Sequence, residues 1–136
     1  MSPTANEKYR VLVVDDDPSV LATYRRLLRR SGYTTVAESD PGKVLANGVL
    51  DRGFDLILVD YKMPAMDGLT FLSHLRRREC NARCILISAY LNDELRTQAR
   101  NLGVDRVLDK PVDCCGLRQV ISELLPAQRS TPTTAS

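Results

Sequence analysis

Short apolar runs that end in polar residues constrain this chain more than any other feature. Val11-Leu12-Val13-Val14 is continuous and rich in β-branched side chains, and Asp15-Asp16-Asp17-Pro18 follows it at once. Phe54 to Val59 is the strongest strand signal in the chain and ends at Asp60, and Cys84 to Ile87 ends at Ser88. A strand with one wet face alternates apolar and polar residues, whereas a strand apolar throughout is covered on both faces, as in parallel sheets. Such a sheet needs helices on both sides, and the intervening segments supply them.

Val20, Leu21, Tyr24, Leu27 and Leu28 recur at helical spacing behind Asp17, a natural N-cap, and Pro18, suited to the first helical position. Gly32 would close that helix. Thr34 to Ala37 reads as a second strand and Pro41 to Leu50 as a weaker helix, weakened by Gly48. Tyr61 to Gly68 is a loop rich in turn residues, followed by a helix through Leu69, Leu72 and Leu75 that finishes in Arg76-Arg77-Arg78. After the fourth strand, Leu91, Leu95, Ala99 and Leu102 stripe a fourth helix ended by Gly103. Arg106-Val107-Leu108 is a short fifth strand, and Leu117, Val120, Ile121, Leu124 and Leu125 stripe a fifth helix. Five strands alternating with five helices predict an α/β fold, a doubly wound parallel sheet with right-handed crossovers. Residues 10–125 are expected to form one domain. The polar residues 1–9 and the Ser/Thr/Pro-rich residues 126–136 are expected to be disordered, the latter as a free end or linker stub.

Composition narrows the function classes. A chain of 136 residues, 43% hydrophobic, can bury a core without metal or disulfide staples. No apolar run approaches the ~20 residues needed to cross a bilayer, and Met1 to Lys8 contains no apolar signal segment, so a cytoplasmic location is expected. A net charge of +2 is too balanced to indicate nucleic-acid binding by bulk electrostatics. The single histidine, His74, removes His-based zinc sites and a Ser-His-Asp engine from consideration. Cys80, Cys84, Cys114 and Cys115 form no Cys-x-x-Cys pair and are expected to be reduced thiols in or near the core.

Ligands of open α/β sheets bind at the carboxyl ends of the strands. Those ends carry Asp15-Asp16, Asp60 and Ser88, with Lys110 two residues beyond the fifth strand. Three acids at one rim repel unless a cation neutralises them, and oxygen donors without His or Cys favour a hard ion such as Mg²⁺. Lys110 and Ser88 suit an anion held against that ion. A carboxylate, a hard cation, an ammonium and a hydroxyl are the parts needed to place a phosphoryl group on an aspartate, and Asp60 is the candidate nucleophile. Taken singly, each has a plainer reading: Asp17 as a cap, Ser88 as a strand-end hydroxyl, Lys110-Pro111 as a loop dipeptide.

At these positions the chain resembles the receiver domain of two-component response regulators. The resemblance rests on Val11 to Pro18, on Asp55 to Pro64 with Met66-Asp67-Gly68, on Ile87-Ser88-Ala89 and on Lys110-Pro111, in that order. It implies a flavodoxin-like sheet of order 2-1-3-4-5, and phosphorylation of Asp60 by a phosphohistidine on a sensor kinase or histidine phosphotransfer protein. It further implies Mg²⁺ (or Mn²⁺) held by Asp15, Asp16, Asp60 and the backbone carbonyl of Lys62, with Ser88 as switch hydroxyl and Lys110 paired to the phosphate. A cis bond at Lys110–Pro111 is also implied. Such a domain is no conventional enzyme, although it promotes its own phosphorylation and dephosphorylation.

One position departs from the family pattern. Val107 stands where the family carries a Tyr or Phe that moves with the switch, and Tyr90 is either a substitute ring or a solvent-edge tyrosine. By the same resemblance, Lys62 and Tyr90, two residues after Asp60 and Ser88, tune phosphate lifetime. Arg25, Arg26, Arg29 and Arg30 lie near where family kinases dock, or form a solvated face. The face of the fourth helix, fifth strand and fifth helix, with Arg96, Arg100, Arg106 and Arg118, is the family's dimer or output surface, so a homodimer is one option; the effector is open. No direct nucleic-acid or membrane partner is expected. Two rivals remain. A haloacid-dehalogenase-class phosphatase would need a second Asp where Lys62 stands, and a phosphorylation-independent interaction module would be favoured only by Val107.

Overall fold

A computed structural model of the chain describes residues 9–126. The strands β1 (Arg10–Val14), β2 (Thr34–Glu38), β3 (Leu56–Asp60), β4 (Arg83–Ser88) and β5 (Arg106–Asp109) form one sheet of order β2-β1-β3-β4-β5. Every pairing is parallel. The helices are α1 (Pro18–Arg30), α2 (Pro41–Ala46), α3 (Gly68–Arg77), α4 (Asp93–Asn101) and α5 (Cys114–Leu124). The doubly wound, flavodoxin-like α/β architecture read from the sequence is the one observed.

The continuous apolar runs are explained by two cores, one on each side of the sheet. Leu12, Val14, Ile57, Val59 and Leu86 pack with Phe71, Leu72 and Leu75 of α3 and with Leu95 and Ala99 of α4. Their neighbours Val11, Val13, Leu56, Leu58, Ile85 and Ile87 pack with Leu27 and Leu28 of α1 and Leu117 and Ile121 of α5. Successive residues of a strand point to opposite faces, so both parities must be apolar when both faces are covered.

Caps set the helix starts. Asp17 accepts a hydrogen bond from the Ser19 amide, Asp67 from Thr70, Asn92 from Leu95 and Asp113 from Gly116. Leu91, expected to open the fourth helix, therefore precedes the cap and packs on the core from the β4–α4 loop. At the ends of α1 and α4, Ser31 and Leu102 are the C-caps, and Gly32 (φ 93°) and Gly103 (φ 76°) follow in the left-handed conformation that closes a Schellman motif.

The second helix is shorter than its expected span of Pro41 to Leu50. It stops at Ala46, Gly48 turns left-handed with φ 67°, and Val49–Arg52 is a separate 3₁₀ turn. Strand β3 starts at Leu56 rather than Phe54, because the Asp55 carboxylate accepts from the Arg10 amide and turns the chain there. The cysteines divide: Cys84 is buried and Cys80 half-buried, but Cys114 and Cys115 are exposed on the first turn of α5, so their placement in or near the core is corrected. All four are free thiols.

Arg76 closes the end of the sheet remote from the strand carboxyl ends. Its guanidinium donates to the carbonyls of Leu102, Cys80, Ala82 and Gly103, joining the α3–β4 and α4–β5 turns. The expected disorder of residues 1–8 and 127–136 lies outside the described residues. Tyr9 and Pro126, at the edges of those segments, are joined by a hydrogen bond of 2.6 Å from the tyrosine hydroxyl to the proline carbonyl.

Candidate functional site

Asp15, Asp60 and Ser88 are the buried polar residues among those described, at 2%, 5% and 2% exposure. They are buried because each continues or ends a strand that is buried on both faces. Asp15 and Asp60 follow the rows Val11-Val13 and Leu56-Leu58 in the alternation, so they fall on the α1/α5 side of the sheet. Asp16, the next residue, is exposed at the rim. Asp15, Asp16 and Asp60 each offer a carboxylate oxygen within 4.8 Å of the others. Lys110, carried past the end of β5, places Nζ 2.9 Å from Asp60 Oδ1.

The loops are held by their own backbone. The Asp17 amide donates to Asp15 Oδ1 at 2.9 Å, fixing that carboxylate at the mouth of α1. The Tyr61 amide donates to the Ile87 carbonyl and the Lys110 amide to the Ser88 carbonyl, so the β3–α3 and β5–α5 loops continue the sheet's register past the strand ends. Ser88 Oγ accepts from the Tyr90 amide at 3.0 Å. The Lys110–Pro111 bond is cis. Gly68 lies so close to the site that an added Cβ would stand 2.6 Å from the Asp60 carbonyl oxygen and 2.9 Å from Leu86 Cδ1.

Burial dominates the electrostatics. It pushes the Asp15 carboxyl up to about 6 from 3.8, opposed by the Asp17 amide and reinforced by Asp60 and Asp16. It also raises the Asp60 carboxyl, although Lys110 pulls the other way. Burial alone would lower Lys110, but its hydrogen bond to Asp60 and the charges of all three acids outweigh that, and it is raised. A trio of crowded carboxylates, two of them desolvated, is the environment a hard divalent cation relieves, and oxygen-only donors match Mg²⁺ or Mn²⁺. The residues present therefore fit such an ion.

The structure brings Asp15, Asp16, Asp60 and Lys110 together, and sets Ser88 at the end of the adjacent strand. Lys62 and Tyr90 meet at the rim, Lys62 Nζ lying 5.5 Å from the centre of the Tyr90 ring. Tyr90 is 65% exposed, the solvent-edge reading of the two. Val107 pairs with Leu86 across β4 and β5 and packs, half-buried, on the α3/α4 side. His74 is half-buried in the last turn of α3, remote in sequence from every residue of the cluster.

Tyr24 was legible only as a member of an apolar stripe. It is buried on α1 and lines a groove together with Lys110, Pro111 and Ala89. Burial first, then the negative charges of Asp15 and Asp60, push its phenol up to about 12. Nothing in helical periodicity distinguishes such a tyrosine from a leucine.

Comparison with known proteins agrees with this fold. Residues 11–122 match the response regulator receiver domain family. The chain is similar to the transcriptional regulatory protein PrrA of Mycobacterium bovis, 34% identical over 127 residues that cover 93% of this chain and 54% of that protein. It is also similar to the chemotaxis protein CheY of Treponema pallidum, 36% identical over 110 residues, 77% of this chain and 74% of that one. A response regulator receiver domain protein (CheY-like) from Methanospirillum hungatei superposes with a TM-score of 0.80 at 30% identity, over 86% of this chain and 93% of that chain. The chain spans about half the length of PrrA, at 54%. Among the described residues no helix is long and apolar enough to cross a membrane.

Proposed function

Because the chain belongs to the response regulator receiver domain family, we propose that it receives a phosphoryl group on Asp60 from a phosphohistidine of a sensor kinase or histidine phosphotransfer protein. The observation that carries this reading is the cluster itself: three carboxylates with oxygens within 4.8 Å and an ammonium 2.9 Å from Asp60. A carboxylate oxygen of Asp60 attacks phosphorus, the phosphorus–nitrogen bond of the donor breaks, and its electron pair stays with the departing imidazole.

Asp15, Asp16, Asp60 and the backbone carbonyl of Lys62 would hold Mg²⁺ or Mn²⁺. When bound, that ion supplies neutralisation of the carboxylates and of charge on the transferring phosphoryl. Lys110 binds a phosphoryl oxygen after transfer, exchanging one anionic partner for another. Ser88 donates its hydroxyl proton to a second phosphoryl oxygen, and in doing so moves relative to Tyr90, whose amide it now accepts from. With Val107 at the family's aromatic position, the change is carried by the β4–α4 loop rather than by an inward-turning ring. Lys62 and Tyr90 flank the mouth and set how readily water reaches the acyl phosphate.

Incubation with acetyl phosphate and Mg²⁺, followed by intact mass, tests this reading. The expected result is one phosphoryl adduct, absent with a chelator and absent in Asp60→Asn. No adduct from acetyl phosphate or from a phosphohistidine donor would instead support an interaction module that works without phosphorylation.

A further inference from the structure

We infer that the groove between the C-terminal half of α1 and α5 is a docking site for an acidic protein segment, gripped by Arg30 and Arg118. Arg25, Arg26, Arg29 and Arg30 are all exposed, and their spacing puts them on one face of α1, a helix without a single acidic residue. Arg30 and Ser31 on one side, and Arg118, Gln119 and Ser122 of α5 on the other, line a groove of about 490 Å³ that no carboxylate enters. Two guanidinium groups thus converge on one groove from different helices.

Neither has a charged partner among the described residues. The ion pairs among the described residues are Arg83–Asp105, Arg106–Glu123 and Lys110–Asp60. Some arginines elsewhere are committed to the fold: Arg76 and Arg78 donate to backbone carbonyls, and Arg106 to Glu123. The favourable field at a helix C-terminus accounts for Arg29 and Arg30 at the end of α1. It does not account for Arg118, which sits within α5 and faces the same groove.

The planar fork of an arginine matches a carboxylate in two-point contact, and two forks facing one groove match successive acidic side chains of a peptide. A long polyanion fits less well. Laid along α1 it would reach the helix N-terminus, where Asp15, Asp16 and Asp60 cluster. A short acidic segment confined to the far half avoids that repulsion. With ~20 Å of helix between the two ends, such a partner leaves the mouth above Asp60 open, so docking and phosphorylation can coexist.

Binding of a labelled short polyglutamate peptide to the whole chain tests the proposal, read by fluorescence anisotropy and by amide shifts in NMR spectra. The expected result is binding whose shifts centre on Ser31, Arg118 and Gln119, weakened about tenfold or more in the pair Arg30→Glu/Arg118→Glu. The matched pair Arg96→Glu/Arg100→Glu, exposed on α4, is expected to bind as wild type does. Equal loss in both pairs, an oligonucleotide of the same charge binding as tightly as the peptide, or no binding at all would overturn it. Amide shifts remote from the groove, and phosphoryl uptake from acetyl phosphate at the wild-type level, show that the Arg30/Arg118 variant is folded and keep this test separate from the reading of Asp60.

Discussion

The Lys110 ammonium reaches back across the sheet edge to stand 2.9 Å from Asp60 Oδ1, joining the end of β5 to the end of β3 over the intervening strand β4. Two opposed influences meet at that contact. Burial of Asp60 raises its carboxyl, and Lys110 lowers it. Lys110→Ala removes only the second, so the titration midpoint of the Asp60 carboxyl, followed by carbon NMR in the metal-free protein, moves upward. A downward shift would mean that the ammonium is not the group that steadies the carboxylate.

Asp15 makes the metal-free protein sensitive to pH. Its carboxyl is raised from 3.8 to about 6, so the folded state holds this proton more tightly than the unfolded chain does. The stability it contributes is complete below about pH 4 and is lost as pH rises to about 6. Asp15→Asn abolishes that loss and stabilises the metal-free protein at neutral pH by up to about 3 kcal/mol, with no gain below about pH 4. Thermal melts across that range check the prediction. Mg²⁺ added at neutral pH is expected to raise the melting temperature of the wild type and to do so less in Asp15→Asn.

Gly68 is a steric requirement of the site. A Cβ there would press on the Asp60 carbonyl oxygen at 2.6 Å and on buried Leu86 at 2.9 Å, and neither backbone nor core can yield cheaply. Gly68→Ala is expected to cost about 1–3 kcal/mol by urea unfolding and to slow phosphoryl uptake from acetyl phosphate by displacing Asp60. Uptake at the wild-type rate would show that the β3–α3 loop does not position the acceptor.

Lys62 and Tyr90 meet with the ammonium 5.5 Å from the ring centre. Lys62→Ala and Tyr90→Ala are each expected to change the decay rate of the phosphorylated protein. Because either change dissolves the same contact, the double variant should differ from the sum of the two on a logarithmic scale. Unchanged decay in both single variants would remove these residues from the control of phosphate lifetime.

The site was legible because its residues are sequence neighbours of apolar runs. Asp15, Asp60 and Ser88 could be placed at one rim as soon as Val11–Val14, Phe54–Val59 and Cys84–Ile87 were recognised as strands buried on both faces, since parallel strands end on the same side. What stayed hidden depends on contacts with no periodicity. In the sequence Arg76 is only the first of three arginines that finish a helix, yet its acceptors are four backbone carbonyls that only the folded α3–β4 and α4–β5 turns bring together. Tyr24 occupied an apolar position, and its nearness to Asp15 and Asp60 depends on how α1 packs on the sheet. The break of the second helix at Ala46 turned on Gly48, whose left-handed backbone ended what the apolar pattern would have continued. The exposure of Cys114 and Cys115 followed from the helix start that Asp113 caps, one residue before them.

The most direct test of the account is to locate the phosphoryl group by reducing the acyl phosphate. Protein treated with acetyl phosphate and Mg²⁺ is reacted with borohydride, which converts an aspartyl phosphate to homoserine, and then mapped by peptide mass spectrometry. Conversion at position 60, dependent on Mg²⁺ and accompanied by none at Asp15 or Asp16, is the predicted result. Conversion elsewhere, or a phosphoryl group that resists reduction and maps to Ser88, would contradict it.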